Sequence, residues 1–476
     1  MRRAMTSRRT WAASVLALLA LATSCTGGSS DPGADGPRST TTTAEPRPAA
    51  GTRLDATGLP APVSNLARLG DLVTYLTPGK EDDLQVVGVD PTSGTVAWRH
   101  DAALVLADAT VSLEVTAFDG IVPFARRASG DPRYALDAAE ADGSIRWSVP
   151  IGRPLGFAFR CDRRLCIETV DGPVRVDPTT GAHERGRDVD EIVGVALSND
   201  TEPSLQRIGY SGKLGGEEIL SAPQFGSHPL WTVRLLDLLG TDDETWQASA
   251  AFRYGDQWVV GVYRDVDGRT GAGGPVGPDD LVALSVDDGT MRWHRTGADV
   301  CVLAGAEDQI LRCVDTLVAS TPGADGGYRV TEVAALDPKT GADRISIPLV
   351  PYDPEVGGAY AITGQGRMLM VTPTGVQDVD LAAGVAEPAA PGQVGWCRKR
   401  SDLPEVRVPG GTDTEVYSRA FGRPCALDGT ELDEDARLAP VISGELPPVE
   451  GVSSIAVGPW VLWNDAGTLA GVATEG

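Results

Sequence analysis

Basic charge, aromatic rings and histidine are all scarce in this chain. It carries 41 Lys and Arg against 66 Asp and Glu, a formal charge of -25. Nucleic-acid binding draws its affinity from clustered Lys and Arg that displace counterions from phosphates, and an acidic field of this size opposes it. Nucleic acid is therefore not an expected partner. Phe, Trp and Tyr make up 5% of the residues, which leaves the core to Val, Leu and Ala. The histidines, His100, His183, His228 and His294, are scattered. Amphipathic periods of helical length are hard to find after Gly51, so the composition points to a soluble, acidic and nearly all-β chain.

The one long apolar run is WAASVLALLALAT (11–23), which follows Arg2, Arg3, Arg8 and Arg9. It is short for a membrane span and suits the hydrophobic part of a signal peptide. The run ends at LATSC (21–25), which resembles the bacterial lipobox. That resemblance implies a lipoprotein signal over 1–24, cleavage, and lipidation of Cys25 at the new N-terminus. SRRTW (7–11) also resembles the start of a twin-arginine signal, and the export route stays open. Residues 25–58 read as a disordered tether, because TGGSSDPGADGPRSTTTTAEPRPAAG (26–51) holds almost no large apolar side chains. The expected location is the extracytoplasmic face of a cell membrane, held there by lipid.

Six cysteines remain once Cys25 is set aside. An even number outside the cytoplasm favours disulfides. Of the 15 connectivities open to six cysteines, sequential pairing is the simplest: Cys161 with Cys166, Cys301 with Cys313, and Cys397 with Cys425. CDRRLC (161–166) has a spacing that zinc could use, but only a lone His183 follows it, so no metal site is expected.

A turn recurs along the chain. VVGVDPTSGTVAW (86–98) sets Asp90, Gly94 and Trp98 four residues apart, and RYALDAAEADGSIRW (133–147) aligns Asp137, Gly143 and Trp147 with two residues inserted. VRVDPTTGAHER (174–185) has Asp177 and Gly181, with Arg185 in place of Trp. LVALSVDDGTMRW (281–293) has Ser285, Gly289 and Trp293. VAALDPKTGADRI (333–345) has Asp337 and Gly341, followed by Ile345. Fainter copies are VQDVDLAAGVAEP (376–388), EEILSAPQFGSHPLW (217–231) and CALDGTEL (425–432). Asp can bond the backbone two residues on, Pro presets the next φ, and Gly takes the positive φ that closes a hairpin with a bulge. A hairpin recurring at roughly 40–50 residues gives one four-stranded sheet per repeat, packed radially.

The pattern apolar-Ala-Leu-Asp-x-x-x-Gly-x-x-x-Trp resembles the repeat of pyrroloquinoline-quinone (PQQ)-enzyme-like β-propellers, from about Leu66 onward. The resemblance implies an all-β propeller over 59–476, of eight blades or alternatively seven, in which Trp98, Trp147 and Trp293 dock each blade onto the next. VGPWVLWNDAGTLAGVAT (457–474) resembles the middle hairpin of a blade, and the region 58–65 is expected to supply its outer strand and close the ring.

Quinone enzymes of this resemblance often carry two adjacent cysteines above the cofactor and a Trp beneath it. This chain has no Cys-Cys pair, and its repeat tryptophans match the docking position. DVDG (265–268) lacks the later glutamate of a calcium loop, GYSGK (209–213) misses the second glycine of a nucleophile elbow, and GAGGPVG (271–277) precedes no helix that could cradle phosphate. The acidic runs EDD at Glu81, DDE at Asp242 and ELDED at Glu431 read as solvated turns. His100 and His294 read as strand-end surface residues. The expectation is a binding or scaffolding module, without catalysis or cofactor, that meets an envelope protein or extracellular ligand through insertions at 264–280, 322–328 and 401–413. The alternatives are a divergent quinoprotein oxidoreductase holding PQQ with calcium, or the sensory ectodomain of an envelope pathway.

Overall fold

The repeated turn folds one way in five copies. Asp90, Asp177 and Asp337 each accept two backbone N–H bonds within the turn, Asp177 from Thr179 and Thr180 and Asp337 from Lys339 and Thr340. The glycine N–H then returns to the carbonyl four residues back, at 2.8–3.0 Å for Gly94, Gly181, Gly289, Gly341 and Gly384. Each of these glycines has φ between 64° and 70°, a region open to Gly and costly for other residues. A β-bulge follows at matching places, between Gly88 and Val89, Ala138 and Ala139, Ala283 and Leu284, and Ala335 and Leu336.

The second copy departs from its alignment. Asp137 lies inside strand Tyr134–Ala139 and is buried, with its carboxylate bonded by Arg126 Nε and Ser148 Oγ at 2.5 Å each. Glu140 takes the corner instead: its carbonyl accepts from Gly143 N–H, and its carboxylate accepts from Ser144 Oγ. The two inserted residues moved the turn along the chain.

The computed structural model describes residues 47–475 apart from 80–83, 104–112, 128–133, 155–157, 162–163, 168, 170, 172–173, 186–192, 197–205, 210–218, 223–230, 244, 265–279, 298, 302, 304–305, 307, 319–326, 353–359, 398–405, 408–414, 417–421, 450–453 and 466. Cys25, the lipobox and residues 26–46 therefore lie outside the described residues. Arg47–Gly476 forms one unit. Among the described residues, successive antiparallel sheets span 67–102, 122–151, 159–185, 193–234, 246–296, 299–352, 360–388 and 454–473. Five of them have four strands in chain order. The second and last have three, and the seventh gains a further hairpin, Val394–Cys397 with Arg423–Ala426, along the edge of Tyr360–Gly364. A short ribbon pairs Val406–Arg407 with Glu415–Val416.

Four junctions between sheets share one device. Trp98 packs on Gly143, Trp147 on Gly181, Trp231 on Gly289 and Trp293 on Gly341, so closely that a methyl group built on these glycines would stand 2.5–2.8 Å from the ring or its Cβ. Every one of these indoles also donates to a carbonyl of the neighbouring turn: Ala141, Pro178, Val286 and Pro338, at 2.7–3.2 Å. Between the sixth and seventh sheets Arg344 does this work, its stem against Gly384 and its Nη1 bonded to Ala382 O at 2.9 Å. Ile345, aligned with the tryptophans in sequence, packs into the core instead.

The last sheet meets the first. Val457, Trp460 and Leu462 share a core with Val73, Tyr75 and Val87, and buried Asn464 donates to Pro62 O and Ser64 O. Successive antiparallel sheets docked in this way, with the last packed on the first, form a β-propeller.

The closing strand differs from the expected one. Residues 51–54 pair with the outer edge of strand Thr468–Ala473 through three backbone bonds: Gly51 N to Ala473 O, Ala473 N to Thr52 O, and Leu54 N to Gly471 O. The region 58–65 cannot do this because Pro60 and Pro62 have no N–H to donate; it contributes carbonyls to Asn464 and Tyr75. The tether assigned to 25–58 thus runs too far, since its last residues belong to the propeller.

Among the described residues there are two helices, the short Leu235–Leu239 and a longer one, and the sequence reading anticipated neither. Glu434–Ser443 is a helix of 10 residues, built from the ELDED stretch read as a solvated turn. Asp433 caps it by accepting from Ala436 N, Glu434 and Asp435 sit in its first turn, and Gly444 ends it at φ 81°. Pro440 inside the helix obscured its period.

Candidate functional site

The topology sorts the connections onto two rims. In the sheets whose turns close at Gly94, Gly181, Gly289, Gly341 and Gly384, the third strand runs into the turn, so the connection from second to third strand opens at the opposite end. The tryptophans set successive turns side by side, which gathers the turns on one rim and the second-to-third connections on the other. The insertion at 264–280 joins Gln257–Arg264 to Asp280–Ser285, and that at 322–328 leads from Leu311–Val318 into the start of Gly327–Leu336. Both leave the rim away from the turns, on adjacent sheets. The third, 401–413, lies in the connection of the added hairpin. The bodies of these insertions lie outside the described residues, as do GYSGK beyond Gly209 and the DVDG stretch.

The roots of the largest insertion are pinned. Arg264, where it leaves, lies 4.9 Å over the Trp246 ring and 3.5 Å from Asp243. Asp243 is itself held below the usual carboxylate range by the Thr245 hydroxyl and N–H. Asp280, where the insertion returns, is buried and accepts from His294 Nε2 at 2.8 Å and Gly297 N at 3.0 Å. His294 is exposed, as expected, and is tied across the strands to Asp280. His100 departs from its surface reading: it is half-buried, its Nε2 lies 2.8 Å from Gly143 O, and its ring stacks on Phe124.

Charges on the sixth sheet are likewise committed to partners, within it and on the fifth. Arg312, 8% exposed, makes a two-pronged bond to Asp343 and reaches Glu332, while Arg295 of the preceding sheet bonds both Asp343 and Gly341 O. The Arg312 guanidinium, with Arg295 second, holds the Asp343 carboxyl below its ordinary value. On the turn rim, backbone N–H groups do the same for Asp177 and Asp337. Among the described residues no three His, Cys, Asp or Glu side chains gather as metal ligands would.

The structure joins Cys397 to Cys425. Cys166 and Cys313 are each disulfide-bonded, and the side chains of Cys161 and Cys301 lie outside the described residues. The backbone offset is the same in all three pairs. Phe159 faces Cys166 and Cys161 faces Arg164; Asp299 faces Cys313 and Cys301 faces Leu311; Gly395 faces Cys425 and Cys397 faces Arg423. Each pair is thus a diagonal across adjacent strands.

Trp98, Trp147 and Trp293 all sit at contacts between sheets, as does Trp231, which closes one of the fainter copies of the repeat. Arg344 and Trp396 were missed. Trp396 is fully buried, donates to Pro447 O at 2.8 Å and lies 5.8 Å from Trp463; no repeat pattern surrounds it to mark it in advance.

No known family pattern matches the chain, and no curated protein does. Solved structures are similar at low identity. BamB from Moraxella catarrhalis aligns at 12% identity and a TM-score of 0.32, over 90% of this chain and 98% of that one. The quinohemoprotein alcohol dehydrogenase ADHIIG from Pseudomonas putida HK5 aligns at 12% and 0.32, over 62% of this chain and 48% of that one. The β-propeller domain of the Trilobed protease from Pyrococcus furiosus aligns at 9% and 0.33, over 69% and 95%. These likenesses assign no activity.

Proposed function

We propose that this chain is an extracytoplasmic propeller of eight blades, anchored to a membrane through lipid on Cys25, that works as a binding or scaffolding module for an envelope protein or extracellular ligand. The observation that carries the reading is the division of the rims. One rim carries short turns of one kind, four of them covered by tryptophan, and the other bears connections of widely different length, the largest rooted in the pinned residues Arg264 and Asp280. A rigid scaffold with one variable face is how loops acquire binding roles. The signal-like N-terminus and LATSC support the anchor and the compartment.

The test replaces 265–279 by a two-residue turn in the full chain and captures partners by cross-linking in envelope preparations. The expected result is loss of a captured partner at unchanged melting temperature. Tight uptake of PQQ with Ca²⁺ by the purified wild type would replace this reading with the quinoprotein one. Cys25→Ser should leave the precursor uncleaved and without label from a radioactive fatty acid, and equal labelling of the variant would remove the anchor from the proposal.

A further inference from the structure

The ring is closed by residues 51–54, and the helix Glu434–Ser443 sits on that closure. Arg53 pairs with Glu434 at 2.6 Å and Asp435 at 2.8 Å in the helix's first turn. A methyl group on Gly51 would lie 3.8 Å from Ile442, and Glu475 N donates to Ile442 O at 3.2 Å. The closing strand, the chain's last strand and the helix thus meet at one place. The ion pairs are exposed, with Arg53 46% and Asp435 94% open to solvent, so they hold weakly by themselves. What keeps the helix in position is its buried face.

Leu438 and Val441 enter a core that contains Trp396, Trp463 and Val472. Trp396 belongs to the added hairpin, one residue before Cys397. That hairpin is a poor ladder, because Trp396 faces Pro424, which has no N–H to give. Its strands are joined by a long connection, and the Cys397–Cys425 bond, across a separation of 28 residues, removes the freedom of that loop. Cys397 is buried whereas Cys425 is only half-buried, so a thiolate can reach the bond from the Cys425 side. The disulfide, Trp396, the helix and the closing strand form a continuous series of contacts.

We propose that the Cys397–Cys425 hairpin and helix Glu434–Ser443 form a redox-controlled latch on the closing strand. With the disulfide intact, the helix holds residues 51–54 on the last sheet. A dithiol breaks the S–S bond by exchange, supplying two electrons and two protons to give two thiols while itself becoming a disulfide. Trp396 then loses its fixed seat, the helix loosens, and residues 51–54 exchange on and off the edge while the other sheets stay packed.

Hydrogen exchange on the full chain tests this. In Cys397→Ser/Cys425→Ser the amides of Gly51, Leu54 and Ala473 should exchange on the order of tenfold faster, with Val260 and Val282 of the fifth sheet within about twofold of wild type. Arg53→Gln with the disulfide intact should raise the same three amides by a smaller factor. Wild type treated with dithiothreitol gives the same readout should the double variant fail to fold. Unchanged exchange at the three amides after the disulfide is lost would overturn the latch, as would an equal rise everywhere, which would mean general destabilisation.

Discussion

Trp231 and Gly341 separate two contributions that the repeat merges. Trp231 packs on Gly289 and donates to Val286 O, in the same way as Trp293 on the next sheet. Trp231→Ala should therefore cost about 3–5 kcal/mol, as expected for a large aromatic removed from a packed contact, and Trp293→Ala should cost the same within about 1 kcal/mol, both read from denaturant unfolding. Gly341 and Gly255 both have positive φ, 67° and 58°, so Ala at either place carries a left-handed penalty of about 1–2 kcal/mol. Only at Gly341 would the new methyl meet a ring, 2.6 Å from Trp293, whereas nothing lies within 4 Å at Gly255. Gly341→Ala should thus be worse by about 1–3 kcal/mol, the cost of overpacking; equal losses would mean that the contact does not matter. Asp343 gives a pH signature. Its folded carboxyl is held below the unfolded value by Arg312 and Arg295, so its stabilisation is present above about pH 4 and is lost as pH falls through the depressed folded value. Melting temperature against pH should fall less steeply below about pH 4 in Asp343→Asn than in wild type.

At the scale of single elements, what the sequence disclosed was whatever local chemistry forces. Asp90, Asp177 and Asp337 with their glycines make hairpins whatever surrounds them, and those turns were legible. The second corner was misread because Asp137 fits the spacing while its carboxylate serves Arg126 and Ser148 across the sheet, a contact no local pattern reveals. The helix at Glu434 had a readable cap in Asp433 but too few apolar positions to establish a period. Arg344 could replace a tryptophan because a long stem and one donor can perform both halves of the docking task. The cysteines offer a check at this scale. The shared diagonal offset leads us to expect Cys161–Cys166 and Cys301–Cys313 beside Cys397–Cys425, and peptide mapping without reduction should recover these three links and no link between sheets.

Across the whole molecule, stability depends on a short segment near the start of the fold. A ring of sheets has no free edge only if its last sheet is completed, and here residues 51–54 complete it. The three backbone bonds are worth about 0.5–1.5 kcal/mol each, and the partly buried Leu54, packed with Trp460 and Leu469, adds about 1–2 kcal/mol. Removing the segment therefore costs roughly 3–6 kcal/mol, and it also exposes the edge of Thr468–Ala473 to pairing with other chains. Composition alone placed these residues in a tether, because Gly51, Thr52 and Arg53 look like the residues before them; only the partner strand more than 400 positions away, from Gly471 to Ala473, gives them structure. Two truncations decide between the readings. A chain beginning at residue 47 should melt with the full-length protein, while one beginning at residue 59 should melt lower and sediment as larger species. The same melting temperature for both would mean that the closing strand contributes nothing and that the fold begins where the composition changes.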